Sequence, residues 1–227
     1  LHTYLNDYAK DTPAFLASSD LMDTFIEEVV AIADSVAEKR NSTKRIMLSF
    51  DEWNVWYRAR GREATDGRRT QAPKLLEEVY NLEDALLVGG LINTLLRNSD
   101  RVHVGCLAQL VNVIAPLVTN SSAVLRQSTY FPYAWALRYA RGRVLDVRVE
   151  SDTYPIRASG LQADFARNGD VPFVDIVATL DEKNGQACAL MLNRDLDAER
   201  EVVLEWDDVT PARVLACETI TGPDLKA

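Results

Sequence analysis

The stretch Arg45-Ile-Met-Leu-Ser-Phe-Asp-Glu-Trp-Asn-Val-Trp-Tyr57 decides how the rest of the chain is read. Its first half, Ile46 to Phe50, is a nearly continuous apolar run, the pattern of a parallel strand covered on both faces. The run stops in Asp51 and Glu52 and then passes through Trp53, Trp56 and Tyr57. Strict alternation sends Asp51 and Glu52 to opposite sides of the strand, so the two cannot form one catalytic pair. Leu48, Phe50 and Glu52 then share a face, and Asp51 faces whatever layer covers the other side.

Working outward, Thr12-Pro13 is a helix-start signal. After it, Leu21, Met22, Phe25, Ile26, Val29, Val30, Ala33, Val36 and Ala37 recur at helical spacing, with the charges on the opposite face, until Arg40-Asn41. On the other side, Arg58 to Ala72 is polar and arginine-rich (Arg58, Arg60, Arg62, Arg68, Arg69) and reads as a long solvated loop. Pro73 opens a helix whose first turns are amphipathic (Leu75, Leu76, Val79, Leu82) and whose part from Ala85 to Leu96 is apolar almost all round, hence buried. Val102 to Val111 follows as a second buried strand. A loop with Pro116 and Asn120-Ser-Ser leads to a helix near Tyr130 to Tyr139, ended by Gly142. Strands alternating with helices imply a parallel sheet with right-handed crossovers.

After Gly142 the pattern changes. Val144 to Glu150 alternates, and Phe173 to Leu180 and Gln186 to Asn193 flank an Asn184-Gly185 hairpin signal. Val202 to Trp206 and Ala212 to Thr219 read as further strands, and Ser151 to Val171 as a loop or excursion between strands. The second half is therefore expected to be an antiparallel sandwich.

Composition agrees with a globular chain: 47% of the 227 residues are hydrophobic and 26% charged. The 25 basic against 34 acidic residues give −9, which disfavours binding to a phosphate backbone and leaves neutral substrates open. Cys106, Cys188 and Cys217 form no metal or redox spacing and read as buried thiols in a reducing compartment. His2 and His103 offer no zinc spacing. No nucleotide-binding loop, hydrolase elbow, signal peptide or bilayer-length apolar run is present, so no metal, cofactor, nucleic acid or membrane is expected. The start at Leu1 and the stop at Ala227 suggest a fragment.

The chemistry sits in the aromatic-flanked acids. Barrels of parallel strands keep their active sites at C-terminal strand ends. There, acids act on a glycosidic bond, while aromatic faces pack on sugar C–H surfaces. Acids at strand ends also cap turns or bind arginines, and the acids alone would favour that reading. The two tryptophans and the tyrosine shift the balance toward a sugar site, and the resemblance of the octapeptide decides it.

Phe50-Asp-Glu-Trp-Asn-Val-Trp-Tyr57 resembles the seventh-strand motif of glycoside hydrolase family 51, the intracellular α-L-arabinofuranosidases. Leu1-His-Thr-Tyr4 resembles the end of that family's sixth strand, Ala72 to Gly89 its seventh helix, Cys106 to Pro116 its eighth strand and loop, and Ala189 to Arg194 part of its sandwich. The resemblance implies the C-terminal part of a (β/α)8 barrel, strands six to eight with their helices, over 1–142. An antiparallel, jelly-roll-like β-sandwich follows over 143–227, and the whole is incomplete at both ends. It implies a cytoplasmic retaining hydrolase that releases terminal non-reducing α-L-arabinofuranosyl units from arabinan- or arabinoxylan-type oligosaccharides, assembled as a hexamer.

Carried over by residue, the resemblance makes Glu52 the catalytic nucleophile. Tyr4 would hydrogen-bond and help tune that carboxylate, Trp56 would line the arabinose subsite, and Gln109 would contact the sugar or the site wall. On Trp53 and Tyr57, wall packing and sugar contact stay open, as do a supporting role and simple packing for His2. Cys106 is expected to face the helices, as is Asp51, in a structural hydrogen bond.

A retaining glycosidase needs a second carboxylate roughly 5–5.5 Å from the first, which the resemblance puts in an Asn-Glu pair on strand four. No Asn-Glu dipeptide occurs, and a full barrel takes about 250 residues. The isolated chain is accordingly expected to be inactive. Two other readings stay open, a retaining xylosidase or β-glucanase of the same clan and a non-catalytic carbohydrate-binding or assembly fragment.

Overall fold

The computed structural model describes residues 1–7, 9–57, 76–156, 169–207 and 210–226. The polar loop expected over Arg58 to Ala72, the helix start at Pro73 and the middle of the Ser151 to Val171 excursion lie outside the described residues.

Three parallel strands form the first sheet, in the order β1 (His2–Leu5), β2 (Leu48–Val55) and β3 (Val102–Leu107). Helices α1 (Thr12–Ala17) and α2 (Ser19–Lys39) connect β1 to β2, and α3 (Leu82–Arg97) precedes β3. All three pack on one face of the sheet: Leu5, Leu48, Phe50, Trp53 and Val55 share a core with Phe15, Met22, Ile26, Leu87, Val88, Leu91 and Ile92. The expected alternation of parallel strands and helices is thus present. The apolar run itself is not buried throughout, since Ile46 and Met47, which precede β2, are 41% and 39% exposed.

Local chemistry sets the helix ends. Asp11, rather than Thr12, caps α1, accepting from Ala14 N–H, with Pro13 in the first turn. α2 buries Met22 and Ile26 in its first half, while Val36, expected on the apolar stripe, is exposed. The helix expected from Pro73 starts at Leu82, and Leu76 and Val79 precede it outside helical structure. The reason is a capping box: Asn81 accepts from Asp84 N–H and the Asp84 carboxylate accepts from Asn81 N–H, which fixes the entry point at that residue. Strand β3 is shorter than expected and is buried only at Val102. Gly105 faces the helices, its absent Cβ lying against Leu95 and Trp53, and Cys106 is exposed. The expectation that Cys106 faces the helices is therefore wrong: β3 borders the sheet, and a register irregularity near its start shifts the parity.

The loop after β3 contains an unforeseen antiparallel pair, β4 (Leu117–Thr119) and β5 (Val124–Arg126), whose turn is held by Asn120 Oδ1 accepting from Ser122 and Ala123 N–H. Helix α4 (Tyr130–Tyr139) follows as expected. Beyond it, β6 (Arg143–Val144), β9 (Val174–Asp181) and β10 (Gln186–Asn193) form an antiparallel sheet in the order β10-β9-β6. The hairpin closes at Asn184-Gly185, with Gly185 at φ +61°. The ends of the Ser151 to Val171 excursion pair as β7 (Thr153–Ile156) and β8 (Gly169–Pro172) rather than remaining loop. No ladder forms over 145–150, 202–206 or 212–219, which corrects the strands expected there. Their apolar residues alternate, but Val203 and Val214 are 75% and 81% exposed, and period-2 patterning gives a sheet only where an edge is available to pair.

The two halves meet across α3. Arg194 (3% exposed) donates to Ser19 Oγ and Asp20 Oδ1, both at 3.0 Å, and Asn93 Nδ2 donates to Asp175 Oδ2 at 2.9 Å. Arg97 pairs with Asp175 and with Asp23. Lys226 reaches back to the buried carboxylates of Asp7 and Glu83.

Gly142 lies at φ +83°, and a Cβ there would fall 2.0 Å from Leu180 O. Gly142→Ala is therefore expected to destabilise the protein by about 2 kcal/mol or more, readable as a lowered urea midpoint at unchanged slope.

Candidate functional site

The C-terminal ends of β1 and β2 bring together Tyr4, Glu52 and Trp56. Tyr4 Oη donates to Glu52 Oε2 at 2.5 Å. The Tyr4 and Trp56 rings meet edge to face, centroids 5.0 Å apart and planes at 66°. The zipper between the strands runs past their ends, with Trp56 N–H donating to Leu5 O at 2.8 Å. His2 pairs with Glu52 in the parallel register, and its Nδ1 lies 3.4 Å from the same Oε2. The Glu52 side chain keeps 43% of its surface exposed, so the carboxylate is anchored on one oxygen and open on the outer side.

The face on which Glu52 lies is set by an irregularity that alternation alone misses. Phe50 aligns with Gly105 but Trp53 with Leu107, so β2 carries one residue more than β3 between these points, a β-bulge. Leu48 and Phe50 therefore bury toward the helices, and so do Trp53 and Val55. Glu52 does not share the face of Leu48 and Phe50, as expected from the sequence; it lies on the opposite face, with its register partner His2 and with Tyr4. Asp51 also departs from its expectation. It is exposed, away from the helix layer, and Ser49 Oγ donates to its Oδ1 at 2.6 Å. That hydrogen bond is the main reason its carboxyl is held below the usual range.

Trp53 and Tyr57 are 1% and 3% exposed. Tyr57 Oη donates to Asp84 Oδ1 at 2.6 Å, and the Trp53 ring packs 6.0 Å from that of Tyr133. Of the two readings left open for these residues, wall packing is the one the structure contains. Gln109 is not brought into contact with Glu52. It lies exposed just beyond β3, where its N–H donates to Ile114 O at 3.1 Å.

Sequence reading gave no role to Asn54, which is 1% exposed and two residues from Glu52 on the same face. Its side chain ties β2 to the loop that carries Gln109, donating to Ala108 O at 2.7 Å and Ile114 O at 2.6 Å. The signal was available in the spacing, since alternation from Glu52 puts Asn54 beside it. Among the described residues no group of three or more His, Cys, Asp or Glu side chains could hold a metal ion. No described helix is long and apolar enough to cross a membrane.

Comparison with known proteins places this geometry in context. The family described as "Alpha-L-arabinofuranosidase C-terminal domain" matches residues 51–227. An intracellular exo-α-(1→5)-L-arabinofuranosidase of Acetivibrio thermocellus is 37% identical over 231 aligned residues, covering 100% of this chain and 44% of that protein. An enzyme of the same name from Streptomyces lividans is 50% identical over 68% of this chain and 24% of its own length. The chain thus spans less than half the length of these curated relatives. Among solved structures, a family 51 α-L-arabinofuranosidase from Bifidobacterium longum superposes with a TM-score of 0.72 at 36% identity, over 87% of this chain and 39% of that one.

Proposed function

Since the chain belongs to glycoside hydrolase family 51, as a C-terminal portion of an α-L-arabinofuranosidase, we propose that the intact protein removes terminal non-reducing α-L-arabinofuranosyl units with retention of configuration. Residues 1–142 are then the last three strands of a (β/α)8 barrel with their helices, and 143–227 the following jelly-roll-like sandwich. The names of the relatives also favour an intracellular enzyme.

The observation that carries this reading is the Tyr4–Glu52 pair at a strand end beneath the Trp56 ring. Tyr4 Oη and His2 Nδ1 both address Oε2, which leaves Oε1 to attack the anomeric carbon. A glycosyl ester forms on Glu52 as the leaving oxygen takes a proton from a carboxylic acid outside this chain. Water, activated by the same group, then cleaves the ester. Trp56 offers an aromatic face to the furanose ring, and Gln109, on the neighbouring strand end, a side-chain amide to its hydroxyls. No step requires a cofactor.

The intact enzyme is expected to hydrolyse 4-nitrophenyl α-L-arabinofuranoside, and the corresponding xyloside and cellobioside far more slowly. Proton NMR of the first product should show the α-anomer. A preference for the xyloside or cellobioside would move the protein to another activity of the clan, and sugar binding without any hydrolysis to a binding role. Tyr4→Phe should lower kcat by about tenfold to a hundredfold, the scale of one hydrogen bond to a charged group, with KM little changed.

A further inference from the structure

Asn54 lies between the two strand ends that frame the site. In the parallel register it pairs with Tyr4 on one side. On the other its side chain holds the chain as it leaves β3, and every hydrogen-bonding position of the amide nitrogen is used. Nδ2 donates to Ala108 O and to Ile114 O, and Oδ1 accepts from Val55 N–H at 2.8 Å. Ile114 O also accepts from Gln109 N–H, so both ends of the segment 108–114 are drawn onto one side chain. Between them Gln109 and Leu110 stand exposed. Asn112 and Ile114 hold φ values of +65° and +39°, a left-handed backbone that non-glycine residues keep only where the surroundings impose it.

We propose that Asn54 is a positioning residue, which fixes the segment 108–114 so that Gln109 is presented to a sugar bound at Glu52. This rests on the arabinofuranosidase reading above. A merely structural Asn54 would satisfy the same two buried carbonyls but would leave substrate handling untouched when replaced. A positioning Asn54 has effects that pass through Gln109.

A double-mutant cycle on the intact enzyme separates the two. With 4-nitrophenyl α-L-arabinofuranoside, Gln109→Ala and Asn54→Ala should each lower kcat/KM by about tenfold, the scale of one lost hydrogen bond to substrate. The double variant should be no worse than the poorer single one. The proposal is overturned if the two effects multiply, if Gln109→Ala has no effect, or if Asn54→Ala lowers Tm while kcat/KM stays at the wild-type value. If Asn54→Ala does not fold, the cycle is run with Asn54→Ser, which keeps one hydroxyl donor, on the same criteria; failure of both to fold assigns Asn54 to stability and overturns the proposal. Absence of arabinofuranoside hydrolysis by the wild type removes the underlying reading itself. Hydrolysis without coupling removes only the role of Asn54.

Discussion

Glu52→Gln in the intact enzyme should cut turnover of an aryl arabinofuranoside by on the order of 10^4-fold to 10^6-fold, between the cost of a lost proton-transfer group and that of a lost nucleophile. The amide is nearly isosteric, and its oxygen can still accept from Tyr4 Oη at the position of Oε2. What disappears is the negative charge and the lone pair that forms the glycosyl ester. With 43% of the side chain exposed, the fold loses little, so Tm should stay within a degree or two of wild type, as surface substitutions generally allow. Glu52→Gly extends the test. Azide entering the vacated side should restore consumption of an activated arabinofuranoside and give a glycosyl azide of inverted configuration. Near-normal activity in Glu52→Gln would falsify the assignment.

Arg194→Ala should produce the largest loss of stability, about 2 to 3 kcal/mol, because it empties a buried site and takes the guanidinium from buried Ser19 and half-exposed Asp20, while Asp175 keeps Arg97 and Asn93. The guanidinium is 3% exposed, bonds Ser19 Oγ and Asp20 Oδ1, and lies 3.9 Å from Asp175. The loss should depend on pH in a defined sense. Burial raises the pKa of Asp20; Arg194 opposes this and the Asp175 carboxylate adds to it. Removing Arg194 takes away the lowering influence, so the folded state binds protons at Asp20 more readily than the unfolded chain does. A folded pKa above the unfolded one means that stability is regained as pH falls through it. The deficit of Arg194→Ala, measured by urea unfolding, should therefore be greatest near neutral pH and narrow in the acid range. A deficit that is the same at every pH would show that the guanidinium acts here through packing alone.

Residue types, read in order, disclose much of this protein and miss what depends on pairing. The order of parallel strands and helices followed from apolar periodicity, and the end of helix α4 from Gly142. The aromatic-flanked acids at Phe50 to Tyr57 singled out the candidate site, and the resemblance chose Glu52 from them and added Tyr4. Three kinds of physics stayed hidden. Capping chemistry at Asn81 and Asp84 competes with apolar spacing and moved a helix start to Leu82. Ladder formation needs an edge, so the alternation over 202–206 and 212–219 overstated the second sheet. The bulge in β2 changed which residues share a face, and no propensity marks it. Gln109, like Tyr4, was found by resemblance alone, whereas the spacing already put Asn54 beside Glu52 and only its bonds, which reach 54 and 60 residues along the chain, needed three dimensions.

The surplus residue in β2 also bears on how this segment can change. Replacing the exposed Asp51 alters one surface group and leaves its neighbours where they are. Deleting it would make Phe50 and Glu52 neighbours, and simple alternation then keeps Phe50 and Trp53 on the helix side and Glu52 and Asn54 on the other, whereas a deletion beyond Glu52 would turn over every residue that follows it. The motif therefore tolerates a change of number at position 51, where the strand already bulges, and not between Glu52 and Trp56. Its reading frame, counted from Glu52 onward, is as much a part of the site as the carboxylate.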